Sequence, residues 1–155
     1  MDRETLPMIF VYPNGKPKIY VHHCDQSREG QLMTERELLA FALKLLTDYY
    51  QKQGMEVAVH KRSGDKGFPN FVMESKSGTK FYVAVRTSLF PVNPLDISRE
   101  GFDDFKKLAK QFNSRPVFAG VSFACTTSYH QEINNLSIAT CGGEYFVAFR
   151  GLINL

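Results

Sequence analysis

From Pro69 to Thr87 the chain reads PNFVMESKSGTKFYVAVRT, and few architectures accommodate such a stretch. Pro69, Asn70, Phe71, Val72, Met73 and Glu74 make an apolar run that follows a Gly-rich loop. Phe81, Tyr82, Val83, Ala84 and Val85 are aromatic, β-branched or small, as residues of a buried strand are. Lys76-Ser77-Gly78-Thr79 separates the two runs, and Gly78 can take the positive φ that a tight turn needs. The stretch predicts two adjacent strands joined by a hairpin.

The flanks supply the elements that would cover such a hairpin. Upstream, Thr34 and Glu37 have the spacing of a capping box, in which each side chain bonds the other residue's backbone N–H. Leu38, Ala42, Leu45 and Tyr49 then recur at helical spacing, with Leu39 and Leu46 beside them, and Gly54 is a natural stop. Met55, Val57 and Val59 alternate with Glu56, Ala58 and His60, the pattern of a half-buried strand. Ser63–Gly67 reads as a loop. Downstream, Pro91 and Pro94 enforce a loop, and a second helix is expected over residues 98–113. Its buried stripe would be Phe102, Phe105, Leu108, Ala109 and Phe112. Its acids (Glu100, Asp103, Asp104) come early and its lysines (106, 107, 110) late, as the helix dipole favours. Val117–Ala124 is almost wholly apolar or small, as in a strand covered on both faces. Gly142-Gly143 precedes a last strand, Tyr145–Arg150, while residues 126–140 carry no clear pattern. At the N-terminus, Met8–Tyr12 and Ile19–His23 flank Asn14-Gly15, a strong type I′ turn signal. Pro13 and Pro17 place that hairpin at a sheet edge, and residues 25–33 read as a loop.

Length and charge narrow the function classes. The chain has 155 residues, enough for one domain with a real core, so residues 1–155 read as a single domain, with residues 1–24 an added hairpin. A net charge of +3 and a pI near 8.7 permit nucleic-acid contact without arguing for it. The first residues lack the basic and apolar regions of a signal peptide, and no apolar run approaches a membrane span. Cys24, Cys125 and Cys141 are odd in number and far apart, which suits a reduced, cytoplasmic setting. Within His22-His23-Cys24-Asp25 only His22 and Cys24 share a strand face. No second cluster at zinc-like spacing accompanies them, so an ordinary edge strand is expected there and no metal.

The order helix, three strands, helix, strand over residues 34–124 resembles the core of the restriction-endonuclease-like, PD-(D/E)xK, nuclease superfamily. In that superfamily a proline-aspartate opens one central strand and Glu-x-Lys closes the next. The matching residues here are Pro69-Asn70 and Ala84-Val85-Arg86. The resemblance implies an α/β domain whose catalytic frame has lost its acids. Asn70 brings no charge, Ala84 supplies no ligand, and the Arg86 pKa is too high for general-base work. Mg²⁺ needs a set of oxygen ligands, so the resemblance implies no cofactor unless displaced acids supply them. Glu74 shares strand parity with Asn70, Glu37 could supply a helix acid, and Lys80 shares parity with Ala84 and Arg86. A divergent Mg²⁺ nuclease would use Glu37, Asn70, Glu74 and Lys80. The favoured expectation is a non-catalytic binding or assembly module, acting on nucleic acid, on a protein partner or as a homodimer. Lys61, Arg62, Lys66, Lys80 and Arg86 are its candidate phosphate contacts. Arg86 alternatively reads as a buried or half-buried strand cation paired to Glu37 or Glu74. A protein-interaction domain without nucleic-acid contact is the third expectation, and an acidic or featureless surface over the central strands would favour it.

Overall fold

The structure, a computed structural model, describes residues 19–63, 67–89, 95, 99–126 and 139–155. These form a mixed α/β fold with two α-helices and a seven-stranded sheet. In chain order they are β1 (Ile19–Val21), α1 (Glu35–Lys52), β2 (Glu56–Val59), β3 (Phe71–Glu74), β4 (Lys80–Leu89), α2 (Asp103–Gln111), β5 (Ser114–Cys125), β6 (Glu144–Phe149) and β7 (Ile153–Asn154). Along the sheet the strands run β1-β6-β5-β4-β3-β2, with β7 attached to β5. The chain divides into two compact units. The first comprises Met1–Phe41, Thr87–Leu95 and Gly120–Gly151, and the second Ala42–Arg86, Asp96–Ala119 and Leu152–Leu155.

In the second unit the hairpin expected from Pro69–Thr87 is present. β3 and β4 pair antiparallel with Phe71 opposite Val83 and Met73 opposite Phe81. Ser75 N–H donates to Thr79 O at 2.9 Å, and Gly78 turns the chain at φ 87. Phe71, Met73, Val83 and Val85 are buried on one face. Asn70, Val72, Glu74, Lys80, Tyr82, Ala84 and Arg86 alternate with them onto the other, as strand geometry dictates. Tyr82 on that second face meets Phe105 and Phe112, with ring centroids 6.4 and 6.1 Å away. Phe102 packs edge-on against Phe118 and Phe105, extending the aromatic layer. Fully burying one such ring contributes about 1.5–3 kcal/mol.

In the first unit the capping box forms as its spacing predicts. Thr34 N–H donates to Glu37 Oε1 at 3.0 Å, and Glu37 N–H donates to Thr34 Oγ1 at 3.1 Å. Phe41, one turn further on, stacks on Phe123 and meets the edge of Tyr145. β1 pairs with β6, Ile19 facing Phe146, and is the end strand of the sheet among the described residues.

Several expectations differ from what is observed. Val59 is 57% exposed rather than half-buried, because β2 is the last strand of the sheet among the described residues. The second helix is shorter than 98–113: a 3-10 turn over Arg99–Phe102 leads into α2. Phe112 is 57% exposed rather than part of a buried stripe, since α2 has ended and the ring lies over Tyr82 instead. Leu108 is half-buried. Residues 25–33 include a 3-10 turn, Gln26–Arg28, capped by Asp25. β7 has no counterpart in the sequence reading. The strand Met8–Tyr12, the Asn14-Gly15 turn, Pro13, Pro17, Lys66, Pro91 and Pro94 lie outside the described residues.

Candidate functional site

The nuclease-like positions divide between the units, Glu37 in the first and Asn70, Glu74, Ala84 and Arg86 in the second. Asn70 is 7% exposed and both ends of its amide are hydrogen-bonded. Its Oδ1 accepts the Val85 N–H at 2.8 Å, and its Nδ2 donates to Ser63 Oγ at 3.3 Å. Its own N–H and C=O bond Val83 O and His60 N–H, so the side chain locks the loop after β2 onto β4. Ala84 is 8% exposed. Its same-face neighbours are both engaged with the α2 side, Tyr82 through the rings named above and Arg86 through Phe102. The Arg86 guanidinium carbon lies 5.8 Å from the Phe102 ring centre. Arg86 is nevertheless exposed, contrary to the expectation of a buried, acid-paired cation. Projecting past Phe102 lets it keep its hydration while its stem covers apolar surface. Glu74 sits opposite Lys80 on β4 and Glu56 on β2. Asn70, Ala84 and Arg86 supply no acid, so they do not fit Mg²⁺.

Among the described residues the candidate cations do not form one patch. Arg86 and Lys80 lie six residues apart on β4, or about 20 Å at strand rise. Lys61 and Arg62 follow β2 at its Phe71 end, toward Arg86, with Arg62 4.1 Å above the Phe68 ring. At that same end the first turn of α2 brings acids: a Cβ added at Gly67 would lie 3.3 Å from Asp104 Cβ. Between these ends, on the Tyr82 face of β2–β4, runs an open groove of about 510 Å³. Ala58, Val72, Tyr82 and Phe112 give it an apolar floor. Glu56, Glu74, Lys80 and His60 form its polar rim.

The first unit holds a second constellation that the sequence reading did not assemble. Glu37 is placed by the capping box, and Arg28 reaches it from the 3-10 turn, with Nη2 2.6 Å from Oε1. Cys141 Sγ donates to Glu37 Oε2 at 3.1 Å. The Arg28 guanidinium, the Thr34 N–H and this thiol hold the carboxyl well below the usual range, at about 2. Burial, and then the Glu37 carboxylate, push the Cys141 thiol up to about 11, so it is no activated nucleophile. Donor atoms of His22, Cys24 and Cys141 lie within 4.8 Å of one another. His22 is half-buried against Phe41, and burial lowers its pKa despite the opposing Glu37 charge. Backbone bonds hold the group together. His22 N–H donates to Gly143 O, Gly30 N–H to Cys141 O, and Cys141 N–H to Gln31 O. Gly142 N–H donates to His22 Nδ1 at 3.1 Å. Gly142 has φ 80, and a Cβ there would come within 3.3 Å of Glu29 Cγ.

The sequence did pair His22 with Cys24. Cys141 was hidden because it joins them from a point 120 positions down the chain by the measure of the neighbouring Gly142–His22 bond. The available signal was the Gly-Gly turn beside a cysteine, immediately before a strand that could pair with β1.

A family model described as "Domain of unknown function (DUF8840)" matches residues 36–155, and the chain belongs to that family. Glu37 and Cys141 fall inside the matched segment, whereas His22, Cys24 and Arg28 precede it. Neither the curated proteins nor the solved structures contain a match to this chain.

Proposed function

We propose that this DUF8840 protein is a non-catalytic protein-binding module built on a restriction-endonuclease-like core, and that the groove over β2–β4 is its binding face. The observation that carries this reading is the lining of that face. Its floor is apolar, and its rim sets two carboxylates, Glu56 and Glu74, against a single lysine. Such a surface repels a phosphate backbone and suits an extended polypeptide. The groove adjoins β2, the terminal strand of the sheet among the described residues, an edge that can accept an added strand. The element order α1-β2-β3-β4-α2-β5 supports the superfamily core, and the burial of Asn70 and Ala84 supports loss of catalysis.

Selection of extended peptides from a display library tests the reading. Bound peptides are expected to lose at least tenfold in affinity on Phe112→Ala or Glu74→Lys, and to be insensitive to Arg86→Ala. A parallel gel with duplex and single-stranded DNA and RNA, with and without Mn²⁺, supplies the opposing outcomes. Metal-dependent cleavage lost in Glu74→Ala would revive the Mg²⁺ nuclease. A salt-sensitive shift abolished by changing Lys61, Arg62 and Arg86 would transfer the function to nucleic-acid binding.

A further inference from the structure

We propose that His22, Cys24 and Cys141 bind a divalent ion of the zinc class, with the Glu37 carboxylate completing a tetrahedral set. Two sulfurs and an imidazole nitrogen within 4.8 Å of one another are the donor types this ion selects. Ligand bonds of about 2.0–2.3 Å at tetrahedral angles put neighbouring donors about 3.5–3.8 Å apart. The cluster therefore closes on an ion by side-chain rotations of about 1 Å. Glu37 Oε2 is 3.1 Å from Cys141 Sγ, beside the three donors.

The surroundings are built around these donors. The Phe41 ring, 5.1 Å from that of His22, orients the imidazole. The Gly142 N–H, which donates to Nδ1 here, gives up that bond when the ion takes an imidazole nitrogen. The positive φ of Gly142 lets the turn wrap the sulfurs, its missing Cβ lying only 3.8 Å from Cys24 Sγ. Charge also balances. Binding releases the two thiol protons, leaving two thiolates, one carboxylate and a dication with a net charge of −1. Arg28, bonded to both Glu37 oxygens, cancels it. The ion would staple the segment after β1 to the 139–143 turn and to the first turn of α1. That segment precedes the residues matched by the family model, so the ion would fasten residues outside the match to residues within it.

Cobalt titration of the reduced, chelator-stripped full chain tests this. The expected result is saturation at one equivalent, with tetrahedral d–d bands and a thiolate-to-cobalt charge-transfer band that zinc removes. Cys24→Ser and Cys141→Ser should each remove about half of the charge-transfer intensity, one of two thiolates being lost. Cys125→Ser should leave it unchanged. Glu37→Gln keeps a capping-box acceptor, so it should preserve the charge-transfer band while weakening affinity at least tenfold. Zinc protection of Cys24 and Cys141 from alkylation in the unaltered protein gives the same decision should a cysteine variant fail to fold. Absence of a charge-transfer band, a band undiminished in both cysteine variants, or a Cys24–Cys141 disulfide that persists under the reducing titration conditions would overturn the proposal. None of these outcomes depends on what the β2–β4 groove binds.

Discussion

Changing Asn70 to alanine separates a structural role for this residue from a vestigial one. The side chain is 7% exposed, and its Oδ1 is the acceptor for the Val85 N–H in the middle of β4. Alanine leaves that N–H buried without a partner, which costs about 1–3 kcal/mol, and also drops the bond that Nδ2 makes to Ser63. The expected loss is about 2–3 kcal/mol. For a chain of 155 residues this lowers Tm by about 4–12 °C. Urea unfolding should show a lower midpoint at an unchanged slope. Asn70→Asp is the informative companion. It restores the acid of the nuclease pattern and keeps the acceptor for Val85. Burial raises a carboxyl pKa, so the folded state would hold its proton to higher pH than the unfolded chain does. The stability of this variant should therefore fall as pH rises above the unfolded value and recover on acidification. A loss below about 0.5 kcal/mol in the alanine variant would refute the structural account. So would an aspartate variant as stable as the parent at neutral pH that cleaves nucleic acid with Mn²⁺.

Three further outcomes follow from the first unit. Glu37 has a folded pKa lowered from 4.5 to about 2, so its contribution is full above 4.5 and disappears as pH falls toward 2. Acid titration of the chelated protein by circular dichroism should show a loss of stability in that window that Glu37→Gln flattens. Tyr145→Phe removes a hydroxyl that accepts the Thr140 N–H at 2.7 Å and donates to Thr140 O at 2.6 Å, and urea unfolding should register a cost of about 1–3 kcal/mol. Gly142→Ala forces a side chain into φ 80 beside Glu29 and should cost about 1–2 kcal/mol while also weakening cobalt binding.

The contrast between Glu37 and Cys141 shows where sequence reasoning reaches. The capping box was readable because both of its partners lie within one helical turn, and the same holds for the Pro69–Thr87 hairpin. Local spacing determined the two helices, the central strands and the turn at Gly78. Exposure was harder to read. Val59 and Phe112 are apolar residues at apolar spacing, yet each is 57% exposed, because a strand's place in the sheet and a helix's last residue are settled by packing. Arg86 lies in an apolar run but reaches solvent past Phe102, a ring contributed from further along the chain. Asn70 was legible as a missing acid, while its bond to the Val85 N–H depended on the register of β3 and β4. The gathering of His22, Cys24 and Cys141 was decided by tertiary structure alone. The pairing of β1 with β6 and of Gln31 with Cys141 closes a loop of more than a hundred residues. No periodicity along the chain encodes such a closure, because its free energy comes from burying side chains that are neighbours only after the sheet has formed.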